Sequence, residues 1–298
     1  MTEPNPVCCP ICRRHEAAAF VRSLPDGYAW WHCEACDLRF SWPMRAGDSD
    51  YYRSLWLYKP TLQAQRPKRL RTIAQTWEYR AVLDHHPMER GRLLDIACGV
   101  GEFLYLAQQR YGYVVAGVDF NPDSVRTARE TYGLQQVVCG SWPDAAGPIE
   151  PAAFDLVTMF HIIEHVADPI AALREAALAL APDGILAVAV PALGGRPELL
   201  PTARDFPPHH LTLWNERSLM RAFAAAGLEP ISTERSPLLA EHLLIALVDK
   251  VPVLQQPTLL RNLFRFGRRL LVAPVALAGV LGETSGCVIV GFARAPRA

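Results

Sequence analysis

Residues 93–104 are the segment that most constrains how this chain can fold. An apolar run ends at Asp95, a short loop follows with glycines at Gly99 and Gly101, and the next apolar residues recur at helical spacing. This order predicts a β-strand, a tight loop and an α-helix. Glycine lets a ligand approach the loop backbone, and the first helical turn offers N–H groups that the helix itself does not use. The segment therefore predicts a ligand-binding turn.

A second apolar run, residues 113–119, predicts the neighbouring strand and ends at Asp119. In doubly wound folds an acid about 20 residues beyond the glycines binds ribose hydroxyls. A dinucleotide fingerprint would place a third glycine where this chain has Leu104, so we expect a ribose-containing cofactor and no pyrophosphate cradle. A purely structural role for Asp119, capping the helix that starts near Pro122, stays open.

These features resemble the first motif of class I methyltransferases that use S-adenosylmethionine (SAM), Asp/Glu-x-Gly-x-Gly-x-Gly. The resemblance covers roughly residues 91–235 and returns in the last predicted strand. It implies an α/β fold with a Rossmann-like, seven-stranded sheet. It also implies that residues 91–298 form a methyltransferase domain with SAM as cofactor.

The resemblance assigns roles to the residues of this motif. Asp95 and the backbone from Ala97 to Gly101 would face the methionine part of SAM. Asp119 would accept hydrogen bonds from both ribose hydroxyls, and Phe120 would lie against the adenine. The first glycine of the motif is Ala97 here, and because alanine is the smallest substitute, we expect a tighter but usable loop.

Residues 135–139 predict a third strand, which is followed by Gly140. The family often places an aspartate directly after this glycine to bind the adenine amino group. This chain has Ser141 and Trp142 instead. Two alternatives follow, a hydrogen bond from the adenine to Ser141 or stacking of Trp142 on the ring.

Five of the eight cysteines lie within the first 36 residues, and four of them form two Cys-x2-Cys pairs. The four are Cys9, Cys12, Cys33 and Cys36. Two such pairs separated by about 20 residues are typical of a four-thiolate zinc site. With strand-like segments between the pairs, residues 1–45 predict a zinc ribbon. Three further residues are possible substitutes for one ligand, namely Cys8, His15 and His32.

The balance of acidic and basic residues indicates which partners such a ribbon could bind. Lys plus Arg equals Asp plus Glu at 30 each, so net charge gives no general attraction to nucleic acid. We therefore expect a structural or substrate-docking ribbon, with nucleic-acid binding as the alternative. Residues 1–6 show no secretory pattern, and we expect a cytoplasmic chain with reduced thiols.

Residues 46–90 are polar, aromatic and basic, and residues 72–83 predict a helix. A basic helix can bind RNA or an anionic substrate, or can simply connect two domains with its charges in solvent. The resemblance adds a third interpretation. This region, with Tyr51 and Tyr52, would form a helical lid over SAM.

The fourth predicted strand, residues 154–160, leads into His161, Glu164 and His165. The string Glu-His-Val-x-Asp-Pro resembles ubiquinone-biosynthesis O-methyltransferases, and helical spacing would place all three side chains on one helix face. His165 would then be a general base oriented by Glu164 or His161. Alternatives are a divalent metal held by the trio, or a capping cluster. The same string matches an inverted zinc-peptidase motif, which the early helix break at Pro169 disfavours.

Two segments near the C-terminus complete the predictions. The loop 193–213 carries His210, which we expect to contact the acceptor. Residues 237–284 predict a helical insert before the last strand. Its basic and apolar part, 259–282, favours either peripheral membrane contact or a helix that covers substrate or forms a homodimer.

Together these patterns predict transfer of a methyl group from SAM to a small-molecule acceptor. The favoured acceptor atom is a hydroxyl oxygen of a sugar, a lipid precursor or a secondary metabolite. Alternatives are carbon methylation of a deoxysugar, methylation of ribosomal or other RNA, and an inactive Rossmann-like binding or scaffold protein.

Overall fold

The computed structural model describes residues 6–48, 51, 69–85, 91–144, 152–193, 205–237 and 287–296. Its centre is a seven-stranded sheet. In spatial order the strands are β10 (Glu229–Arg235), β11 (Val288–Arg294), β8 (Leu180–Pro191), β7 (Phe154–Phe160), β4 (Arg92–Ile96), β5 (Val114–Asp119) and β6 (Val137–Cys139). Strands β8 to β6 are parallel, and β11 is antiparallel to both neighbours. The predicted Rossmann-like sheet is thus confirmed, and the carboxyl ends of its parallel strands meet at one edge.

Helices pack on both faces of this sheet, and each face has its own apolar core. The helices are α1 (Leu70–Ile73), α2 (Trp77–His85), α3 (Glu102–Tyr111), α4 (Pro122–Tyr132), α5 (Pro169–Ala177) and α6 (Glu216–Ala226). Alternate residues of a strand point to opposite faces. Accordingly Leu93 packs with α3 and α4, whereas Leu94 packs in the core that contains α5 and α6.

Two predicted elements have different boundaries. The helix expected over 72–83 is divided into α1 and α2, because the chain tightens into i→i+3 hydrogen bonds after Ile73 before it enters α2. The sequence Pro182-Asp183-Gly184 also predicts a turn, which lies within β8, where Asp183 has a φ of 61°. Residue 184 must be glycine, since a Cβ there would lie 2.7 Å from the carbonyl oxygen of Phe154.

The N-terminal residues form a second, four-stranded sheet. Three strands come from this region, β1 (Ala18–Ser23), β2 (Ala29–Cys33) and β3 (Leu38–Trp42), with a 3-10 turn at Pro25–Gly27. The fourth is β9 (Thr212–Leu213), which comes from the loop after β8 and pairs antiparallel with β3. Leu38 and Phe40 are fully buried in the same core as Trp214. The predicted ribbon and the large sheet therefore share one core across the proposed boundary at residue 45.

The last two strands of the large sheet form an antiparallel pair although they are far apart in sequence. Ser236 donates its N–H to the carbonyl of Val288 at 2.8 Å, and its hydroxyl oxygen accepts from the N–H groups of Cys287 and Val288. These bonds bring together the two ends of the predicted insert. The insert 237–284, apart from residue 237, lies outside the described residues, and so does the membrane or dimer segment 259–282. None of the helices described is long and apolar enough to cross a membrane.

Candidate active site

The loop after β4 adopts the conformation that its glycines allow. Gly99 and Gly101 have φ values of 55° and 81°, and Ala97 takes a φ of 59° as well. For an L-residue this left-handed conformation costs about 1 to 2 kcal/mol, so Ala97 is strained in the glycine position it fills. A Cβ on Gly101 would lie 2.4 Å from Leu134 Cδ1. Tight packing against α4 and β6 therefore requires a glycine there.

Asp119 ends β5 and lies against this loop. One carboxylate oxygen accepts from the N–H of Gly99 at 2.8 Å, and the other accepts from the N–H of Asn121 at 2.9 Å. Burial raises the pKa of Asp119, and the two N–H donors oppose that rise. The side chain that caps α4 is Asn121, which accepts from the N–H of Asp123. The capping residue of α4 is therefore Asn121, and the helix-cap interpretation of Asp119 does not hold.

Asp95 lies beneath the loop and does not line the cavity beside it. Its carboxyl accepts a hydrogen bond from Thr158 Oγ1 at 2.7 Å, and only 3% of the residue is exposed. Burial raises the pKa of Asp95 to about 8, with a smaller contribution from Asp119 and an opposing one from the Thr158 hydrogen bond. At neutral pH the protonated form is thus favoured.

Replacing Asp95 with asparagine is expected to raise the free energy of unfolding at about pH 9 and to change it much less at about pH 5. The folded protein holds a proton on Asp95 up to about pH 8, against an ordinary pKa of 3.8. Stability therefore falls as pH rises between these values. Asparagine keeps an oxygen for Thr158 and carries no charge. Denaturant unfolding at both pH values measures the difference, and an effect that did not depend on pH would contradict this assignment.

A cavity of about 440 Å³ opens at the carboxyl edge of the sheet. Asp119, Phe120, Ser141 and Trp142 line one side of it, and His161 and His165 line the other side. The indole N–H of Trp142 donates to the carbonyl of Glu175 at 2.8 Å, which fixes the orientation of the ring. The cavity thus joins the residues predicted to hold a cofactor to the predicted histidines.

The prediction of a helix that carries His161, Glu164 and His165 is wrong. These residues form a turn, in which His165 donates its N–H to the carbonyl of Ile162 at 2.9 Å and His161 has a φ of 56°. Helix α5 begins only at Pro169, capped by the side chain of Asp168. The turn nevertheless brings the side chains close together, because the carboxylate of Glu164 lies between the two imidazoles.

Charged neighbours change the pKa values of His161 and Glu164 in this turn. Glu164 Oε1 lies 3.4 Å from His161 Nδ1, and His161 Nε2 lies 3.8 Å from Glu78 Oε1. Burial would lower the pKa of His161, but Glu164 and Glu78 outweigh it and raise that pKa to about 10. His165 and His161 likewise outweigh burial and lower the pKa of Glu164 to about 2. His161 is therefore an imidazolium between two carboxylates, unsuited to act as a base.

The predicted residue His210 lies beside a histidine that sequence reasoning missed. His165 and His209 have ring centroids 4.5 Å apart, and His165 and His210 have centroids 4.9 Å apart. The carbonyl of His209 is 2.6 Å from His165 Nδ1. Burial, reinforced by His165, lowers the pKa of His210 to about 3 and keeps it neutral. The adjacent pair His209-His210 in the sequence was the available signal.

Backbone hydrogen bonds attach this histidine loop to both sheets. The N–H of Leu211 donates to the carbonyl of Glu164, and the carbonyl of Leu211 accepts from the N–H of Ser41, both at 2.7 Å. Asn215 donates its side-chain amide to the carbonyl of Asp37 at 3.0 Å. The N-terminal module therefore fixes the loop that carries His209 and His210.

The four predicted cysteine ligands lie together at the base of this module. Their sulfur atoms all lie within 4.8 Å of one another. Cys9 and Cys33 are fully buried, and Cys12 Sγ is 3.7 Å from Cys33 Sγ. Burial raises the pKa of Cys36 to about 12. Four clustered sulfurs, three of them on buried cysteines, are a donor set that suits a structural zinc ion.

The substitute ligands are placed elsewhere. His32 Nε2 lies 3.0 Å from Asp37 Oδ1, and His15 Nδ1 lies 3.5 Å from Glu16 Oε2. Cys8 lines a second cavity with Arg13. Of the lid residues, Tyr51 has its ring centroid 6.4 Å from that of His209, and Tyr52 lies outside the described residues.

Comparisons with known proteins agree with this geometry. A family model described as "Methyltransferase domain" matches residues 62–233, more than half of the chain. A ubiquinone biosynthesis O-methyltransferase of Caulobacter sp. (strain K31) is 38% identical over 111 residues, which are 35% of this chain and 42% of that protein. The chain thus spans less than half the length of the curated relatives it matches.

Solved structures share the fold at low sequence identity. Phosphoethanolamine N-methyltransferase 2 of Haemonchus contortus, in complex with SAM, has a TM-score of 0.56 and 17% identity, covering 94% of this chain and 71% of that chain. The [4+2]-cyclase SpnF has a TM-score of 0.51 and 21% identity, covering 74% and 81%. At these identities the likeness shows the fold alone.

Proposed function

Since this chain belongs to the methyltransferase domain family, we propose that it transfers the methyl group of SAM to a hydroxyl oxygen of a small-molecule acceptor. One observation carries the proposal. A single cavity is lined by the Asp119 carboxylate on one side and by His165, beside the buried Glu164, on the other. A ribose-binding acid and a proton acceptor thus face the same space.

The cofactor side of the cavity fits SAM. Asp119 uses one site on each carboxylate oxygen for backbone N–H groups, and a carboxylate has about four acceptor sites. Two ribose hydroxyls would use the remaining sites, while Phe120 and Trp142 would enclose the adenine and Ser141 would accept from its amino group. When bound, SAM supplies an electrophilic methyl group.

On the acceptor side, His165 is the proposed general base. If Nδ1 donates to the carbonyl of His209 at 2.6 Å, the neutral ring has its lone pair on Nε2. That atom would take the proton of the acceptor hydroxyl, and Glu164 Oε1, 3.8 Å away, would stabilise the imidazolium formed. His161 would hold Glu164 in place as its ion-pair partner. His210, predicted to contact the acceptor, does not line this cavity and lies beside the ring of His165.

A divalent metal held by His161, Glu164 and His165 is a less favourable arrangement. Both ring nitrogens of His161 face carboxylates, at 3.4 and 3.8 Å. This ring would have to lose a proton and turn from Glu78 before it could bind a cation.

At the N-terminus we propose a structural zinc ion on the four cysteines. The module would serve as a rigid support for the histidine loop, through the β3–β9 pair and the Ser41 hydrogen bond. A support of this kind needs no nucleic-acid partner. The ubiquinone O-methyltransferase relatives favour a hydroxyl acceptor. A sugar, a lipid precursor or a secondary metabolite is the proposed class.

Replacing His165 with glutamine is expected to lower kcat for a hydroxyl acceptor about a hundredfold, while the Kd for SAM changes less than about threefold. The measurement uses methyl-labelled SAM with panels of hydroxyl, amine and carbon acceptors and with RNA. Labelled product from RNA or amines alone would contradict the proposal. The matched control is His85→Gln, on α2, which stacks on Phe292 away from the cavity lining.

A further inference from the structure

We propose that His165, His209 and His210 form a second metal site, which binds a divalent first-row transition ion such as Zn²⁺. This site is separate from the cysteine cluster, and it shares only His165 of its three histidine ligands with the trio His161, Glu164 and His165. One ring nitrogen from each of the three histidines lies within 4.8 Å of the others. Imidazole nitrogens are the ligands that zinc and its neighbours in the first transition row prefer.

The rings come from two segments that hydrogen bonds hold together. His165 belongs to the turn after β7, and the other two belong to the loop held by β9. Adjacent rings His209 and His210 lie nearly parallel, at 17°, with centroids 5.0 Å apart. His165 is inclined to both, by 60° and 55°. The parallel pair and the inclined ring of His165 can therefore flank one ion, and rotamer adjustment would bring the nitrogens to coordination distance.

Burial makes this cluster unusual for histidines that have only a packing role. His209 is 5% exposed and His210 is 8% exposed. Among the described residues, His210 Nδ1 is buried without a hydrogen-bond partner, and its nearest carboxylate oxygen, on Asp205, is 3.9 Å away. A buried polar atom without a partner costs about 1 to 3 kcal/mol. A metal ion would remove this cost.

Glu164 supplies the second observation. Glu164 is 1% exposed, and neither of its carboxylate oxygens has a hydrogen bond within the described part of the chain. Oε1 lies 3.8 Å from His165 Nε2. A buried carboxylate beside a metal-bound histidine is a common outer-shell arrangement, since it orients the ring and offsets the charge of the ion. Glu164 can therefore act as an outer-shell carboxylate or as a fourth ligand.

The chemistry of the ion rests on the proposed function, although the site itself does not. His165 lines the cavity, so an ion bound to it would be reached from the acceptor side. Three protein ligands leave a position open for an acceptor oxygen. The ion would lower the pKa of a bound hydroxyl, whose proton would pass to cavity water. In the loaded protein His165 would then act as a ligand in place of its role as base.

The test is metal stoichiometry, measured by mass spectrometry after equilibrium dialysis of the full chain against Co²⁺. X-ray absorption at the cobalt edge then tells nitrogen and oxygen neighbours from sulfur. We expect wild-type protein to bind one ion with nitrogen and oxygen neighbours in addition to any ion on sulfur. His209→Ala and His210→Ala should lose the nitrogen-bound ion. His161→Ala, the matched control in the same turn, should retain it.

Wild-type protein without a nitrogen-bound ion would overturn the proposal, whatever the variants do. Retention by both His209→Ala and His210→Ala, or loss only by His161→Ala, would overturn it too. Calorimetric titration with SAM on the same samples keeps the two questions separate. If the protein bound SAM but no second ion, only the metal-site proposal would be contradicted. If it bound the second ion but no SAM, the methyltransferase proposal would be contradicted instead.

Discussion

Replacing Asp119 with alanine is expected to weaken SAM binding by about a thousandfold, the loss of two charge-assisted hydrogen bonds at about 2 kcal/mol each. Asp119 is 6% exposed, lines the cavity and is held by the N–H groups of Gly99 and Asn121. Calorimetric titration of variant and wild type with SAM measures the effect.

The substitution also removes the acceptor for the N–H groups of Gly99 and Asn121. The thermal stability of each variant must therefore be measured alongside its SAM affinity. Asp119→Asn keeps the shape of the side chain and one acceptor oxygen, and we expect an intermediate affinity. Asp123→Ala is the matched control, because Asp123 lies nearby on α4 and pairs with Arg126 instead of lining the cavity. If Asp119→Ala folded and bound SAM as tightly as wild type, the proposed ribose role would be lost.

Replacing Cys33 with serine is expected to abolish zinc binding at the cysteine cluster and to lower the melting temperature by more than about 10 °C. Structural zinc contributes on the order of 10 kcal/mol in small metal-binding modules, and Cys33 is fully buried in the core that the module shares with Trp214. The loss should therefore reach the large sheet through β9. Zinc content and thermal unfolding, measured on the same preparation, test this expectation.

Cys8→Ser serves as the control for this prediction, since Cys8 is close in sequence but outside the sulfur cluster. It should keep the wild-type zinc content and an unchanged melting temperature. If Cys33→Ser retained wild-type zinc content, the four-thiolate site would be wrong. Loss of zinc with no change in unfolding would show instead that the module is stable without its metal.

Local sequence patterns predicted the strand, the loop and the helix that surround the candidate cofactor site. The run ending at Asp95, the glycines of the following loop and the acid at Asp119 are all signals from residues near in sequence. Such signals depend on strand and helix periodicity and on the φ values that glycine allows. Hence the strand, loop and helix after Leu93 were placed correctly.

Contacts between distant segments could not be predicted in this way. The hydrogen bond between Asn215 and Asp37 joins residues 178 positions apart, and the pairing of β3 with β9 involves a strand of two residues. Neither segment has a local sequence pattern that identifies its partner. Glu78 was missed for the same reason, because its contact with His161 depends on a neighbour from another element.

The wrong helix at 161–165 has a different cause. The spacing of His161, Glu164 and His165 satisfies helical periodicity, but His161 adopts a φ of 56° and donates its N–H to the carbonyl of Ala189 on β8. Tertiary hydrogen bonding thus overrides the local pattern. A turn and a helix can both bring residues three and four apart together, so the proximity was predicted although the element was not.

The most direct test of the central claim is calorimetric titration of zinc-loaded wild-type protein with SAM, its demethylated product S-adenosylhomocysteine and NAD⁺. We predict micromolar binding of the first two, one molecule per chain, and no measurable binding of NAD⁺. The reason is that this chain has Leu104, in the first turn of α3, where a dinucleotide site needs its third glycine. A folded, zinc-loaded protein that bound neither SAM nor its product would contradict the account.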